Sequence, residues 1–473
     1  MIPLTLTEIA TATGGKVMNA NASPLMIKSV STDSRKIDAD CLFIALQGDK
    51  FDAHQFVPQV ESKGAVSLLV HKPVATTLPY VLVDDTRIAL GQLGAFVKQK
   101  ITGLKCAAIT GSNGKTTTKE LLSHILRQQR GAERAVLATA GNFNNDIGLP
   151  LTLLRLTNEH QFAVVELGAN HIGEIDYTSH LAHPDVALIN NVMPAHLQGF
   201  GSLEGVAKAK SEIWRNIKSG GTAVVNLDSD FAAQFLQELK SLNVNILTFS
   251  QQPSEAVNVY PSDIRFDSLG KAIFTLHVNN DKSQQRVDIH LNLPGKHNIS
   301  NALAAAAMAL SLGCELAIIK AGLNSVEPVS GRANCEYIND LLTVIDDTYN
   351  ANSASVKAAI DLLAQYPGEH LLILGDMAEL GLHSEKEHQA IGQYAAQQGI
   401  EQLLTVGELT RQTSLAFTQE NAGDALHFST KEQLVAHLQN TLLQNSKKLT
   451  VLVKGSRGAK MEEIVAYIKQ LRL

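Results

Sequence analysis

Thr110-Gly111-Ser112-Asn113-Gly114-Lys115-Thr116-Thr117 follows the apolar run Cys106-Ala107-Ala108-Ile109 and precedes a helical pattern that continues to about Arg130. Glycines in such a turn let backbone N–H groups face phosphate oxygens, and the start of the helix adds partial positive charge at the same place. Lys115 is positioned to reach the β- and γ-phosphates of a nucleoside triphosphate, and the Thr116 hydroxyl to ligate Mg²⁺. Gly111, Ser112, Asn113, Gly114, Lys115, Thr116 and Thr117 are therefore the expected nucleotide-binding residues. The pattern departs from G-x-x-x-x-G-K-[ST] at one point, where Ile109 stands in place of the first glycine. No Asn-Lys-x-Asp guanine signature occurs, which disfavours a GTPase.

The chain around this loop alternates strands and helices. Phe162–Val165 and Val186–Ile189 are continuous apolar runs, as expected of a parallel sheet covered on both faces. Residues 247–292 read instead as alternating strands, a small antiparallel excursion, and Asn298–Leu312 as an Ala-rich helix. Upstream, residues 41–46, 65–70 and 80–83 read as short strands, followed by a helix over 87–100 with apolar Ile88, Leu90, Leu93 and Val97. Downstream, Leu342–Ile345, Leu371–Leu374, Leu403–Val406 and Leu449–Val453 alternate with helices as a second open parallel sheet. The expected fold is α/β in three domains. They are a small α/β domain over 1–86, a central P-loop parallel-sheet domain over 87–326, and a Rossmann-like domain over 327–473. Glu327-Pro328-Val329-Ser330-Gly331 reads as the hinge between the last two.

Composition narrows the function. The 473 residues are 45% hydrophobic and 18% charged, which excludes wholesale disorder. Forty Lys and Arg against 46 Asp and Glu give a net charge of −6, which argues against nucleic acid or an anionic membrane as the main partner. No apolar run reaches the length of a membrane span, and Met1-Ile2-Pro3-Leu4-Thr5 lacks a basic leader region. Cys41, Cys106, Cys314 and Cys335 are scattered and read as buried free thiols in a reducing compartment. A cytoplasmic protein is expected.

Polar residues stand where the central strands end, the edge at which open α/β sheets bind ligands. Glu166 closes Phe162–Val165 and is either an ordinary strand-terminal carboxylate or a metal ligand. His196, just past Val186–Ile189, is either a solvated loop histidine or a second ligand. Lys210 is the most informative single residue. The helical stripe Val206, Lys210, Ile213/Trp214, Ile217 puts it on an apolar face, with Lys208 and Glu212 on the polar one. Either its stem covers apolar surface while the ammonium snorkels out, or a desolvated, partly neutral amine is chemically available there.

The phosphate loop, Gly141-Asn142-Phe143-Asn144-Asn145-Asp146-Ile147-Gly148, Glu166-Leu167-Gly168, His196, Lys210, Pro294-Gly295-Lys296-His297-Asn298-Ile299-Ser300-Asn301 and Gly331-Arg332 together resemble the ATP-dependent Mur ligases. The resemblance covers nearly the whole chain. Ser31-Thr32-Asp33-Ser34-Arg35, with Leu42-Phe43-Ile44-Ala45-Leu46-Gln47-Gly48, resembles the uridine-binding first domain of later-acting members. Asp346-Asp347-Thr348-Tyr349-Asn350-Ala351-Asn352 and Leu374-Gly375-Asp376-Met377-Ala378-Glu379-Leu380-Gly381 are similar to the last-acting member. The Asp-Asn-Pro motif usual in the member that adds the third amino acid is absent. Ala53 and Ser353 replace a common Gly and Pro, the first within the uridine loop.

The resemblance implies ligation of D-alanyl-D-alanine to UDP-N-acetylmuramoyl-tripeptide, driven by ATP and Mg²⁺, with two ions expected. It implies that Thr116, Glu166, His196 and a carbamylated Lys210 serve the metal, with Lys115, Glu166, His196 and Lys210 as the catalytic set. Asn298 and Asn301 would contact the adenine side of ATP, although an N-cap and a solvated neighbour would read the same way. Arg332 and Asp347 would close on ATP from the third domain. The implied substrate-binding set is Ser31, Thr32, Asp33, Ser34, Arg35, Gln47, Gly48, Asn142, Asn144, Asn145, Asp376, Lys454 and Ser456. Asp376, Glu379, Lys454, Gly455, Ser456 and Arg457 begin loops where the incoming dipeptide would bind, and Asp376 and Glu379 read equally as helix-capping acids. A monomer is expected. The rivals are the third-residue-adding Mur ligase, a folylpolyglutamate synthase, and a nucleotide-sensing module without turnover.

Overall fold

A computed structural model describes residues 1–20, 25–194, 197–280, 283–420, 423–443 and 446–471. Its frame is a nine-stranded sheet. The order across it is Ser283–Pro294, Lys271–Asn280, Val259–Phe266, Asn245–Phe249, Thr222–Asn226, Val186–Ile189, Lys105–Thr110, Phe162–Glu166 and Val136–Ala138. Lys105–Thr110 pairs in parallel with a later strand on each side, with Ala107 opposite Val164 and Ile109 opposite Leu188. The chain therefore reverses its direction of travel across the sheet at this strand, and the phosphate loop leaves its carboxyl end. That is the crevice position for ligands in open α/β sheets. Leu121, Leu122, Ile125 and Leu126 of the helix Lys115–Arg130 bury against one face, together with the Ala-rich helix His297–Ser311.

The antiparallel excursion is part of this same sheet. Val259–Phe266, Lys271–Asn280 and Ser283–Pro294 pair antiparallel, but Asn245–Phe249 is parallel to Thr222–Asn226. The strands Val136–Ala138 and Thr222–Asn226 join it as well, between the runs singled out in the sequence. The third block folds as a six-stranded sheet ordered Asn334–Tyr337, Leu342–Asp347, Leu449–Lys454, Glu369–Gly375, Gln402–Val406, Asp424–Phe428. Its two edge strands, Asn-Cys-Glu-Tyr and Asp-Ala-Leu-His-Phe, interrupt their apolar residues with polar ones, which is why no continuous apolar run marks them. Inner strands feed both faces. Ile345, Leu372 and Leu452 enter one core, and Val344, Ile373 and Val451 the other. Continuous apolar runs follow from that double coverage.

The first block holds a five-stranded sheet ordered Lys16–Met18, Tyr80–Leu82, Ser67–Val70, Cys41–Ile44, Ser29–Ser31. The helix Thr86–Lys100 joins it to the central domain. One apolar cluster runs from Leu4, Ile9 and Leu69 through Leu90, Leu93 and Val97 to Leu149 and Val165. Ile88, one of the apolar residues named for this helix, is 51% exposed at its first turn. All four cysteines are free, with Cys335 only half-buried on its edge strand. Among the described residues no helix is long and apolar enough to cross a membrane.

Candidate active site

Gly114 adopts φ +75° and opens the helix Lys115–Arg130 with no side-chain cap, so the first turn's N–H groups face the crevice. Lys115 Nζ folds back to donate to the carbonyls of Gly111 (2.8 Å) and Ser112 (3.4 Å). Burial lowers the pKa of its ammonium; Glu166 opposes that shift and Arg332 adds to it. Thr116 Oγ1 donates to Glu166 Oε2 at 2.7 Å, and Asn144 Nδ2 donates to Glu166 Oε1 at 2.9 Å. Glu166 is 3% exposed. Its own N–H donates to Thr139 Oγ1 (3.0 Å), while Thr139's carbonyl accepts from the buried Lys119 ammonium (2.6 Å). Lys119 and Thr139 thus fix the strand end that presents Glu166, and nothing in the apolar pattern marks either.

Lys210 lies on the helix Leu203–Ser211, only 4% exposed among Val206, Ala207 and Ala209. The stripe continues into the 3₁₀ turn Glu212–Asn216, where Ile213 and Trp214 are buried. Lys210 lines the same cleft as Lys115, Thr116 and Glu166. Burial pushes its pKa well down, the nearby Lys115 charge pushes it further, and no carboxylate raises it. The amine is therefore desolvated rather than snorkelling. Glu212, placed by periodicity on the polar face, is 2% exposed. Its Oε1 accepts from Gly173 N–H (2.8 Å) and its Oε2 from Asp176 N–H (3.1 Å), capping the helix Glu174–Ala182. His196 lies outside the described residues.

Asparagines secure the loop. Asn190 Nδ2 donates to the Asn113 carbonyl and to Asn301 Oδ1, both at 2.9 Å. Asn301 Nδ2 donates to Asn298 Oδ1 (2.9 Å), and Asn298 Nδ2 to the Pro294 carbonyl (2.7 Å). Asn226 Nδ2 donates to the carbonyl of Asn190 (2.9 Å). Asn298 and Asn301 line the cleft but cap nothing, because Lys296 occupies the N-cap of their helix. Asn190 and Asn226 sit at ends of adjacent strands. That strand-end position was a usable signal, and only Glu166 and His196 were read from it.

The third domain reaches across. Arg332 Nη2 donates to Thr116 Oγ1 at 2.9 Å, its guanidinium lying 4.1 Å from the Tyr349 ring centroid. Asp347 Oδ2 pairs with Lys454 Nζ at 2.6 Å, and Lys454 also donates to the Asn350 carbonyl (2.8 Å). Lys115, Glu166, Lys210, Asn142, Asn144, Asn145, Arg332, Asp347 and Lys454 line one cleft of about 1130 Å³ between the two domains.

Other expected residues lie off that cleft. The Asp376 carboxylate accepts from the N–H groups of Glu408 (3.0 Å), Leu409 (3.0 Å) and Thr410 (2.9 Å), so both oxygens hold a neighbouring loop. Ser456 Oγ accepts from Ala378 N–H at 2.7 Å and ties the same loops together. Ser31 ends an edge strand of the first domain and Thr32, Asp33, Ser34 and Arg35 follow it, where the Arg35 guanidinium holds Asp33 below the usual carboxylate range. Gln47 bridges to Asp52, and Gly48 N–H donates to the Phe51 carbonyl (2.9 Å), closing a tight loop.

Three family profiles match in succession: "Mur ligase family, catalytic domain" over 26–98, "Mur ligase middle domain" over 109–309, and "Mur ligase, glutamate ligase domain" over 331–457. The chain is 42% identical over 470 residues, 99% of each chain, to the UDP-N-acetylmuramoyl-tripeptide–D-alanyl-D-alanine ligase of Escherichia coli K12. It superposes on crystalline MurF from Acinetobacter baumannii with a TM-score of 0.90, 38% identity and 99% coverage of both chains. MurF ligase from Thermotoga maritima in complex with ADP gives a TM-score of 0.80 and 25% identity, over 94% of this chain and 97% of that one.

Proposed function

The chain belongs to the Mur ligase family, and from that premise we propose that it joins D-alanyl-D-alanine to UDP-N-acetylmuramoyl-tripeptide using ATP, releasing ADP and phosphate. The observation that carries this reading is the meeting of Lys115, Thr116–Glu166 and third-domain Arg332 in one cleft.

A carboxylate at neutral pH does not react with an amine, so it must first be activated. One oxygen of the tripeptide's terminal carboxylate attacks the γ-phosphorus, the bond to the ADP oxygen breaks, and an acyl phosphate results. Lys115, Arg332 and the N–H groups of the first helical turn stabilise charge on the transferring phosphoryl oxygens. The dipeptide amine then attacks the acyl carbon and loses a proton. The tetrahedral intermediate collapses to the amide, expelling phosphate. The cleft walls contributed by both domains keep water from the acyl phosphate.

Thr116 and Glu166 fit Mg²⁺, being a hydroxyl and a buried carboxylate beside the phosphate loop. Among the described residues no group of three or more His, Cys, Asp or Glu could hold a metal ion, which suits an ion held by few protein oxygens and by phosphates. His196 and a carbamylated Lys210 would complete the set for two ions, and the bound metal supplies charge neutralisation. Lys210 suits carbamylation because burial and the Lys115 charge favour its uncharged amine, the form that attacks CO₂ and then loses a proton; the product would place an anionic carbamate near the Lys115 ammonium. Asn298 and Asn301 would meet the adenine side of ATP, and Asp347 would meet the nucleotide. The first-domain residues 31–35, 47 and 48, with Asn142, Asn144 and Asn145, would take the UDP-linked substrate. Lys454, held on Asp347, would face the incoming dipeptide, with Asp376 and Ser456 shaping its loops. The enzyme would act as a cytoplasmic monomer, where ATP and nucleotide-linked precursors are made.

The test is ADP release against a substrate panel. ADP and amide should form one for one only when both UDP-N-acetylmuramoyl-tripeptide and D-alanyl-D-alanine are present. Turnover with a free diamino acid on the dipeptide precursor, or with glutamate on a folate, would transfer the assignment to another amide ligase.

A further inference from the structure

Asn113 carries the asparagine network out of the central domain. Asn352 is the N-cap of the third-domain helix Ser353–Leu363, its Oδ1 accepting from Ser355 N–H at 2.9 Å. That bond fixes which way the amide faces. Asn352 Nδ2 donates to Asn113 Oδ1 at 2.7 Å, and Asn113 Nδ2 donates back to Asn352 Oδ1 at 3.3 Å. Asn113's backbone is clamped in turn: its N–H donates to Asn191 Oδ1 (2.8 Å), and its carbonyl accepts from Asn190 (2.9 Å) and Asn191 (3.1 Å).

We propose that Asn113 and Asn352 are a positioning pair, a latch through which docking of the third domain sets the shape of the phosphate loop. The inference rests on the ligase reading given above. Of the other crossing bonds, Arg332 to Thr116 uses groups that the phosphates and their ion would claim, and Tyr366 Oη to the Leu269 carbonyl (2.9 Å) touches no residue of the phosphate loop. The amide couple is neutral and uses only side chains, so it survives an occupied loop. It also continues through Asn190 to Asn301, which joins the docked helix to the central domain's own helix His297–Ser311. Coupling of this kind needs two arrangements of one element, here the third domain docked or undocked.

Asn113→Ala removes the couple and leaves the helix cap intact; Asn352→Ser removes the couple and keeps a capping side chain. In the full-length protein, each variant and the double variant are compared by steady-state kinetics. They are also compared by small-angle scattering with a non-hydrolysable ATP analogue and Mg²⁺. Each single variant should raise KM for the dipeptide about tenfold and weaken binding of the ATP analogue as well, Asn352→Ser acting on the loop from the third domain, and the double should be no worse than either single. With the analogue bound, the variants should scatter as a more extended particle than the wild type. Additive losses, a wild-type KM, or a fall in kcat with unchanged scattering would each overturn the latch. A wild-type enzyme without dipeptide-dependent ADP release would instead remove the ligase reading, and the nucleotide-only scattering comparison would still decide the latch.

Discussion

Two lysines occupy one cleft, and their surroundings divide the work between them. Lys115 rests on loop carbonyls that a triphosphate would displace, so its charge is free for the phosphoryl group. Lys115→Ala should keep its circular dichroism spectrum and lose at least about a thousandfold in turnover. Near-normal ADP production by that folded variant would remove Lys115 from the chemistry. Lys210 has a folded-state pKa well below its ordinary value. A buried amine depressed in this way costs stability wherever the unfolded lysine is charged. The cost fades as pH climbs toward the unfolded value of about 10.4. In CO₂-depleted buffer, Lys210→Met should therefore raise the thermal midpoint at pH 7 by a few degrees, with the gain shrinking as pH rises. The same variant should be nearly inactive. Lys210→Ala should be partly recovered by short carboxylic acids, and ¹³C-bicarbonate NMR of the native protein should give a carbamate resonance. A thermal midpoint that Lys210→Met leaves unchanged or lowers would contradict a desolvated amine.

Gly114 links the loop to the elements that hold it. At φ +75° a Cβ would lie 2.3 Å from Asn301 Oδ1 and 2.5 Å from Asn190 Nδ2, both in the amide network. Gly114→Ala should weaken ATP-analogue binding at least about tenfold by calorimetry, through strain and the displaced amides together. Glu212→Ala leaves two N–H groups at the start of Glu174–Ala182 without their acceptor and should cost about 1–3 kcal/mol locally, read as faster hydrogen exchange at Gly173 and Asp176. Unchanged exchange there would show that the cap does not hold this helix. These cases also mark how far the sequence could be read. The phosphate loop, its strand and its helix were legible because glycine spacing and a continuous apolar run leave little freedom. Lys210 was legible as an apolar-face lysine because the stripe survives a change from α to 3₁₀ winding. Glu212 was misread because periodicity cannot see a carboxylate that turns inward to cap another helix. Asn190 and Asn226 carried a strand-end signal and Asn352 stood in a quoted motif, but their pairing was not legible for a related reason: an amide network is assembled from strand ends and caps far apart in the chain, with no local pattern for which amides meet.

Across the whole molecule, no single domain holds all of the proposed site residues. The phosphate loop, Glu166 and Lys210 belong to the central sheet, Arg332, Asp347 and Lys454 to the third, and the motif at 31–35 to the first. Arg332 crosses that division, stacked on Tyr349 and bonded to Thr116. Arg332→Ala should lower kcat/KM by about a hundredfold or more, with calorimetric affinity for the UDP-linked tripeptide little changed. Equal losses in both would place the arginine in substrate binding instead. The three-domain arrangement was expected from the alternation of apolar runs. The side chains meeting across the cleft were not, since they depend on how the domains dock.

In the proposed reaction, ATP activates the tripeptide carboxylate by phosphorylating it. The direct measurement supplies UDP-N-acetylmuramoyl-tripeptide with ¹⁸O in its terminal carboxylate, together with ATP and D-alanyl-D-alanine, and follows the label by mass spectrometry of the released phosphate. Attack of a carboxylate oxygen on the γ-phosphorus, followed by expulsion of phosphate from the acyl carbon, predicts one ¹⁸O in every phosphate and one left in the amide. Unlabelled phosphate alongside amide formation, or label carried into AMP, would contradict it.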